Sequence, residues 1–172
     1  QQPGMGKELA EADPAARAVF DAADRALGLS VSALCFEAPA ESLRSTENAQ
    51  PALLTHGAAV WAVAGERLAP HVRAAAGHSL GEFTAYHAAG ALSLADAVVL
   101  VRRRGELMHE AGVQRPGAMA ALLGELREPA DALCARATRE AAEVVPANYN
   151  APEQTVVSGV RESEARRLEV ES

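Results

Sequence analysis

Apolar residues recur at helical spacing up to about residue 115, and beyond that the pattern turns to short apolar runs broken by one helical stretch. Asp13 followed by Pro14 is a good cap and first-turn pair. Ala16, Phe20, Ala23 and Leu27 then predict a helix that stops before Gly28. Residues 30–49 read as irregular, with Pro39 and the polar cluster Ser45-Thr46-Glu47-Asn48. A second helix is predicted from Pro51, its apolar face carried by Leu53, Leu54, Gly57, Ala58, Trp61, Ala64 and Leu68. This start puts Gln50 at the mouth of the helix, where a side chain can reach a neighbouring cleft. Residues 71–76 read as a short strand leading into a turn, after which Phe83, Tyr86 and Ala89 continue as a helix. Ser93-Leu94-Ala95-Asp96 resembles a capping box and predicts a third long helix running to about Ala111.

Past Pro116 the reading is strand over 118–123, helix over 129–143, strand over 144–147, strand over 155–158, and a final helix over 161–170. That β-α-β-β-α order is a split βαβ unit without its last strand. No internal repeat or low-complexity segment is evident.

Composition narrows the function classes. The 172 residues suit one domain, or a domain with a small appendage, and aromatics at 3% require a core built from Ala, Val and Leu. A net charge of -7 argues against nucleic acid as a partner, because Arg102, Arg103 and Arg104 are the only basic run. Cys35 and Cys134 match neither a metal spacing nor a disulfide framework, which suits a reducing cytoplasm. No stretch approaches the roughly twenty apolar residues of a membrane span. The start at Gln1-Gln2-Pro3-Gly4, without a methionine, and the uncapped last helix read as the ends of an internal segment.

Chemistry enters at Gly77-His78-Ser79-Leu80-Gly81-Glu82. A serine hydroxyl is a poor nucleophile unless it is exposed, beside a base and near oxyanion donors. Gly-x-Ser-x-Gly between a strand and a helix strains the serine backbone and exposes its hydroxyl, with flanking positions that leave no room for side chains. The following helix offers the Leu80 N–H and a partial positive charge to a developing oxyanion.

A second candidate is Arg104. Its neighbours one turn away are Leu100, Val101, Leu107 and Met108, all apolar, whereas Arg102 and Arg103 have Glu106 within reach. Arg104 therefore points along a stripe expected to be buried, and something anionic should meet it. Two partners fit: an acidic side chain in the core, or a substrate carboxylate gripped by the planar fork. A nucleophilic serine with an inward arginine suggests a carboxylated acyl group.

At this point the motifs match a known family. Asn48-Ala49-Gln50-Pro51-Ala52-Leu53-Leu54, the hexapeptide at 77–82, Arg104-Gly105 and Asn148-Tyr149-Asn150-Ala151-Pro152 stand in its order and approximate spacing. The chain resembles the malonyl-CoA:acyl-carrier-protein transacylases of fatty acid synthesis and, more distantly, the acyltransferase domains of polyketide synthases. Leu80 and the run through Gly90 look more like the stand-alone form.

The resemblance implies an α/β fold: an α/β-hydrolase-like parallel-sheet core holding residues 1–115, and an inserted ferredoxin-like small subdomain holding residues 116–172, both truncated. It implies ping-pong transfer of a malonyl group from coenzyme A to the phosphopantetheine thiol of acyl carrier protein, through an ester on Ser79. Arg104 would hold the malonyl carboxylate and the Leu80 N–H would serve the oxyanion. Gln50 would line the same site, or else satisfy backbone groups at a helix start. Coenzyme A is then part of a substrate and no cofactor or metal is expected. Neither nucleic acid nor membrane is an expected partner, and a cytoplasmic monomer is.

Two departures bear on activity. The family's opening Gly-Gln-Gly-Ser-Gln loop is matched only at its last residue, by Gln1, and its histidine base lies beyond these residues. None of the five histidines is a substitute, so these 172 residues alone are not expected to turn over. Two other readings stay open. A serine esterase would need an acid and then a histidine after Ser79, yet Asp96 and His109 share one predicted helix. A binding-only homologue would retain a carrier-protein surface without catalysis.

Overall fold

Asp13 caps its helix as the sequence predicts, its carboxylate accepting from the Ala15 amide at 2.7 Å, and the helix ends at Gly28. The computed structural model describes residues 1–140 and 143–160, and the chain divides into two compact units, residues 1–110 and 111–172. The division falls inside a helix, so it is not marked by a linker.

The first unit contains α1 (Lys7–Ala12), α2 (Pro14–Leu27), α3 (Val31–Phe36), α4 (Ala40–Arg44), α5 (Thr46–Leu68), a 3-10 turn at Ala69–His71, α6 (Leu80–Ala88) and most of α7 (Leu94–Gln114). Its core is small-residue packing around α2 and α5: Ala16, Phe20 and Ala23 meet Val31, Cys35, Leu43, Ala52, Leu54 and Ala59, with Ala97, Val98 and Val101 from α7. Phe20 is fully buried and packs at a tilt against Phe36, ring centroids 4.8 Å apart, so it carries much of the apolar area that so few aromatics can supply. Burial pushes the Cys35 thiol up to about 12, with Asp24 adding to it, which makes this cysteine a packing residue without thiolate chemistry.

Three local expectations fail for identifiable reasons. Residues 30–49 are not irregular. Ser30 accepts from the Ala33 amide, Asp24 accepts from the Ser32 amide and hydroxyl, and these contacts stabilise a six-residue helix too short for periodicity to reveal. The helix predicted from Pro51 starts at Thr46, so Pro51 lies inside it and Gln50 is a buried helical residue instead of a mouth residue. The strand predicted over 71–76 does not form: His71 ends the 3-10 turn and residues 72–76 take no regular structure. They are exposed, and a strand needs a neighbour for its backbone groups, whereas the one sheet among the described residues lies in the second unit.

That second unit follows the predicted order: β1 (Gly117–Leu123), α8 (Ala130–Glu140), β2 (Val144–Ala151) and β3 (Gln154–Val160). The strands are antiparallel in the order β1-β3-β2, with Ala120 opposite Val157 and Val145 opposite Ser158. α8 lays Cys134 and Ala137 on Val144 and Val157, and Ala120 and Leu122 pack alongside. Thr138 ties α8 to β2, its hydroxyl both donating to the Val144 carbonyl and accepting from its amide at 3.0 Å. The final helix predicted over 161–170 lies outside the described residues.

Candidate active site

Ser79 is held with φ 53° and ψ −110°, and it is the one non-glycine residue at positive φ among the described residues. A backbone in that region costs roughly 1–3 kcal/mol and persists only where its surroundings enforce it. Here the enforcement is the turn itself. The Gly81 amide donates to the His78 carbonyl at 2.9 Å and the Glu82 amide to the Ser79 carbonyl at 3.2 Å. A side chain at Gly77 would lie 2.0 Å from the Gly81 carbonyl carbon, so the chain can double back there only without one. Gly81 differs from expectation: a β-carbon there meets open space among the described residues. Leu80 is the first residue of α6, where helix amides have no internal acceptor, and its N–H lies at the positive end of the helix beside the serine.

Arg104 comes to this turn from α7. Its Nη2 donates to Ser79 Oγ at 2.9 Å, and its Nη1 donates to Gln50 Oε1 at 2.6 Å. The guanidinium carbon lies 5.9 Å from the Phe83 ring centroid, over a face that favours a cation. Gln50 in turn donates from Nε2 to Thr46 Oγ1 at 3.1 Å and to Met108 Sδ at 3.3 Å. Its orientation is dictated by chemistry, because arginine only donates and the amide must present oxygen to it. Three residues predicted from sequence, Ser79, Arg104 and Gln50, are thus joined in one chain of hydrogen bonds.

The arginine's setting differs from the sequence reading in one respect. Leu100, Leu107 and Met108 are about half exposed, and the core face of α7 is Ala97, Val98, Val101 and Gly105. Arg104 is therefore at the rim of the core, and the partners found are a neutral amide and a hydroxyl where an acidic side chain was one expectation. A guanidinium held this way keeps its full charge for an incoming anion.

Thr46, Phe83 and Met108 were missed. Each stands one helical turn from a residue that was named: Thr46 from Gln50, Phe83 from Ser79, and Met108 from Arg104. That spacing was the available signal. Around them, Arg102 donates from Nη1 to the Glu47 carbonyl at 2.9 Å and to Asn48 Oδ1 at 3.0 Å, and from Nε to Glu106 Oε1 at 2.9 Å. Gly105 brings the α5 and α7 backbones together, since a β-carbon there would lie 2.7 Å from Glu47 Cα. Glu47 Oε2 is buried 3.4 Å from His109 Nδ1. Hydrogen bonds from the Ser45 side chain and its own amide hold the Glu47 carboxyl below the usual range, with attraction from His109 and Arg102 adding to this.

The esterase partners do not assemble. Asp96 is engaged with Ser93 at the start of α7, and His109 faces Glu47. His87 meets the Leu92 carbonyl at 3.2 Å. Among the described residues, no group of three or more His, Cys, Asp or Glu side chains could hold a metal ion, and no helix is long and apolar enough to cross a membrane.

Comparison with known proteins places the chain in a family. Residues 1–169 match the family described as acyl transferase domain. A malonyl CoA-acyl carrier protein transacylase of Bacillus subtilis (strain 168) is 50% identical over 157 residues, covering 91% of this chain and 49% of the relative. The corresponding Escherichia coli (strain K12) protein is 41% identical over 169 residues, covering 96% and 53%. The chain thus spans about half the length of these curated relatives. Among solved structures, an acyl-carrier-protein S-malonyltransferase from Bartonella henselae superposes with a TM-score of 0.90 at 40% identity, over 99% of this chain and 55% of that one. A malonyl transacylase solved in complex with a type II polyketide acyl carrier protein gives 0.83 at 36% identity, over 96% and 53%.

Proposed function

Because the chain belongs to the acyl transferase domain family, we propose that its chemistry is transfer of a malonyl group from coenzyme A to acyl carrier protein through Ser79. One observation carries this reading: a fully charged guanidinium, held by a neutral amide, one hydrogen bond from a backbone-strained serine.

Ser79 Oγ attacks the thioester carbonyl carbon. The Leu80 N–H and the α6 N-terminus stabilise the oxyanion, and collapse of the adduct breaks the carbon–sulfur bond to leave a malonyl-serine ester and coenzyme A thiol. The phosphopantetheine thiol of the carrier protein then attacks that ester and returns the Ser79 hydroxyl. The proton leaving Ser79 needs a general base, which we assign to none of the histidines present. Arg104 accounts for substrate choice. A malonyl carboxylate takes both arms of its fork in a bidentate pair, whereas an acetyl group leaves the cation unpaired. Coenzyme A is a substrate in this scheme, and no cofactor is required. The neighbour solved with a carrier protein supports the acceptor.

At the level of fold, we assign residues 1–115 to an α/β-hydrolase-like large subdomain and 116–172 to a ferredoxin-like small one. The strand order β1-β3-β2 supports the second assignment. Steady-state kinetics in the complete protein test the function. Arg104→Ala should depress malonyl transfer far more than acetyl transfer, and Arg104→Lys should recover only part of the loss, because an ammonium cannot reproduce the fork. Equal losses for both acyl groups would refute the assignment.

A further inference from the structure

Arg102 appears in the sequence as one of three adjacent arginines, with Glu106 one turn away as an ordinary surface partner. The structure gives it a second engagement. In a regular helix the carbonyl of residue 47 accepts from the amide of residue 51. Residue 51 is Pro51, which has no amide hydrogen and whose ring crowds that same carbonyl. Arg102 Nη1 occupies the vacant place, 2.9 Å from the Glu47 carbonyl oxygen, and the same nitrogen reaches Asn48 Oδ1 at 3.0 Å. Its Nε is fixed on Glu106, so the guanidinium is held at both ends with the side chain only 23% exposed.

We propose that Arg102 is a positioning residue for Arg104, supplying the hydrogen-bond donor that Pro51 withholds from the first turns of α5. Those turns carry Thr46 and Gln50, whose amide oxygen holds Arg104 Nη1 at 2.6 Å. Gly105 sets α7 against the same residues with no side chain between, so little slack separates the Glu47 carbonyl from the Arg104 fork. Releasing that carbonyl lets the proline-bent turn move and draws Gln50 away from Arg104. A role limited to pairing with Glu106 would have none of these consequences. The proposal rests on the reading that Arg104 holds the acyl carboxylate.

A double-mutant cycle in the complete protein tests it, using Arg102→Met, Pro51→Ala and their combination, with Arg104→Ala and Glu106→Gln as references. Alanine at 51 restores an amide that can reach the Glu47 carbonyl. Arg102→Met should therefore lower the malonyl-to-acetyl ratio of kcat/KM by roughly tenfold in the parent, mainly through the malonyl KM, and by less than about threefold in the Pro51→Ala background. Glu106→Gln, whose amide oxygen can still accept from Arg102 Nε, removes only the charge of that pair and should leave the ratio within about twofold of the parent. Unfolding midpoints should show the same non-additivity, and if Arg102→Met alone is insoluble, the double variant must be soluble and keep the malonyl-to-acetyl ratio within about threefold of the Pro51→Ala protein, or the proposal falls. Equal losses in both backgrounds, in selectivity and in midpoint, overturn it. So does an unchanged ratio in Arg102→Met while Arg104→Ala shifts it. An unchanged ratio in Arg104→Ala itself refutes the underlying reading, and the proposal falls with it.

Discussion

The junction of α5, α6 and α7 and the small sheet of residues 117–160 are built on opposite plans. In the sheet unit, cohesion comes from a repeating local pattern: alternate strand residues face α8, and Cys134, Ala137, Val144 and Val157 close over one another. At the junction, polar groups do the joining. Gln50 is buried with both ends of its amide engaged, the Glu47 carbonyl takes its donor from another helix, and Ser79 holds a backbone conformation few residues tolerate. Burying polar groups is favourable only when each finds a partner, so the buried part of this region, around Gln50 and the Glu47 carbonyl, is stabilised as a network, with Ser79 at its exposed edge. The sheet unit should tolerate change by degrees. The difference teaches where to look for chemistry: where helices meet through side chains from distant positions, not where the pattern is most regular.

The largest break in this comparison should come at the nucleophile. Ser79→Ala in the complete protein should lower malonyl transfer by roughly 10³-fold or more while leaving the unfolding midpoint almost unchanged, read by transfer assay and thermal melt. Next is Arg104→Ala, which should cost at least about 2 kcal/mol in transition-state binding for malonyl and far less for acetyl. Gly105→Ala should then destabilise the junction by about 1–3 kcal/mol, because its β-carbon has to push the Glu47 backbone away. A melt with no shift would mean the helices are not in contact there.

Val157→Ala sharpens the contrast from the other side. It should cost roughly 1–3 kcal/mol through a cavity under α8, seen in denaturant titration, and leave the malonyl-to-acetyl ratio unchanged. The smallest effect is that of pH. Glu47 and Glu106 both have carboxyl groups held below their ordinary 4.5, Glu106 by hydrogen bonds from Arg102 and Arg103. A lowered value in the folded state means that the stabilisation is present above 4.5 and is lost as pH falls below it. Melts taken at successively lower pH should show Glu106→Gln losing less of its midpoint than the parent, and high salt should shrink the gap because Glu106 and Arg103 are near solvent.

Much of this was legible in the sequence for a physical reason. Asp13-Pro14, the Ser93–Asp96 capping box and the β-α-β-β order are local signals, and each produced the element it predicts, within a few residues. Ser79 was visible because a strained turn needs glycine at position 77, and Arg104 because its charge interrupts an apolar stripe. What was not legible depends on contacts between residues far apart. Ser30 and Asp24 cap a helix across a turn, and a proline that reads as a helix start is tolerated mid-helix because Arg102 lies more than fifty positions away and faces its orphaned carbonyl. Local propensity points to a break at Pro51, and the tertiary contact reverses it. Thr46, Phe83 and Met108 fell between these cases, since their one-turn spacing from named residues could have been followed.

The most direct test of a carboxylate-selective acyl-serine site is peptide mass spectrometry of the complete protein after separate exposure to malonyl-CoA and acetyl-CoA. The expected result is a malonyl adduct on the peptide containing Ser79, with little acetyl adduct, and a reversed preference in Arg104→Ala. An adduct on another residue, or equal malonyl and acetyl labelling of Ser79 that Arg104→Ala does not alter, would contradict it.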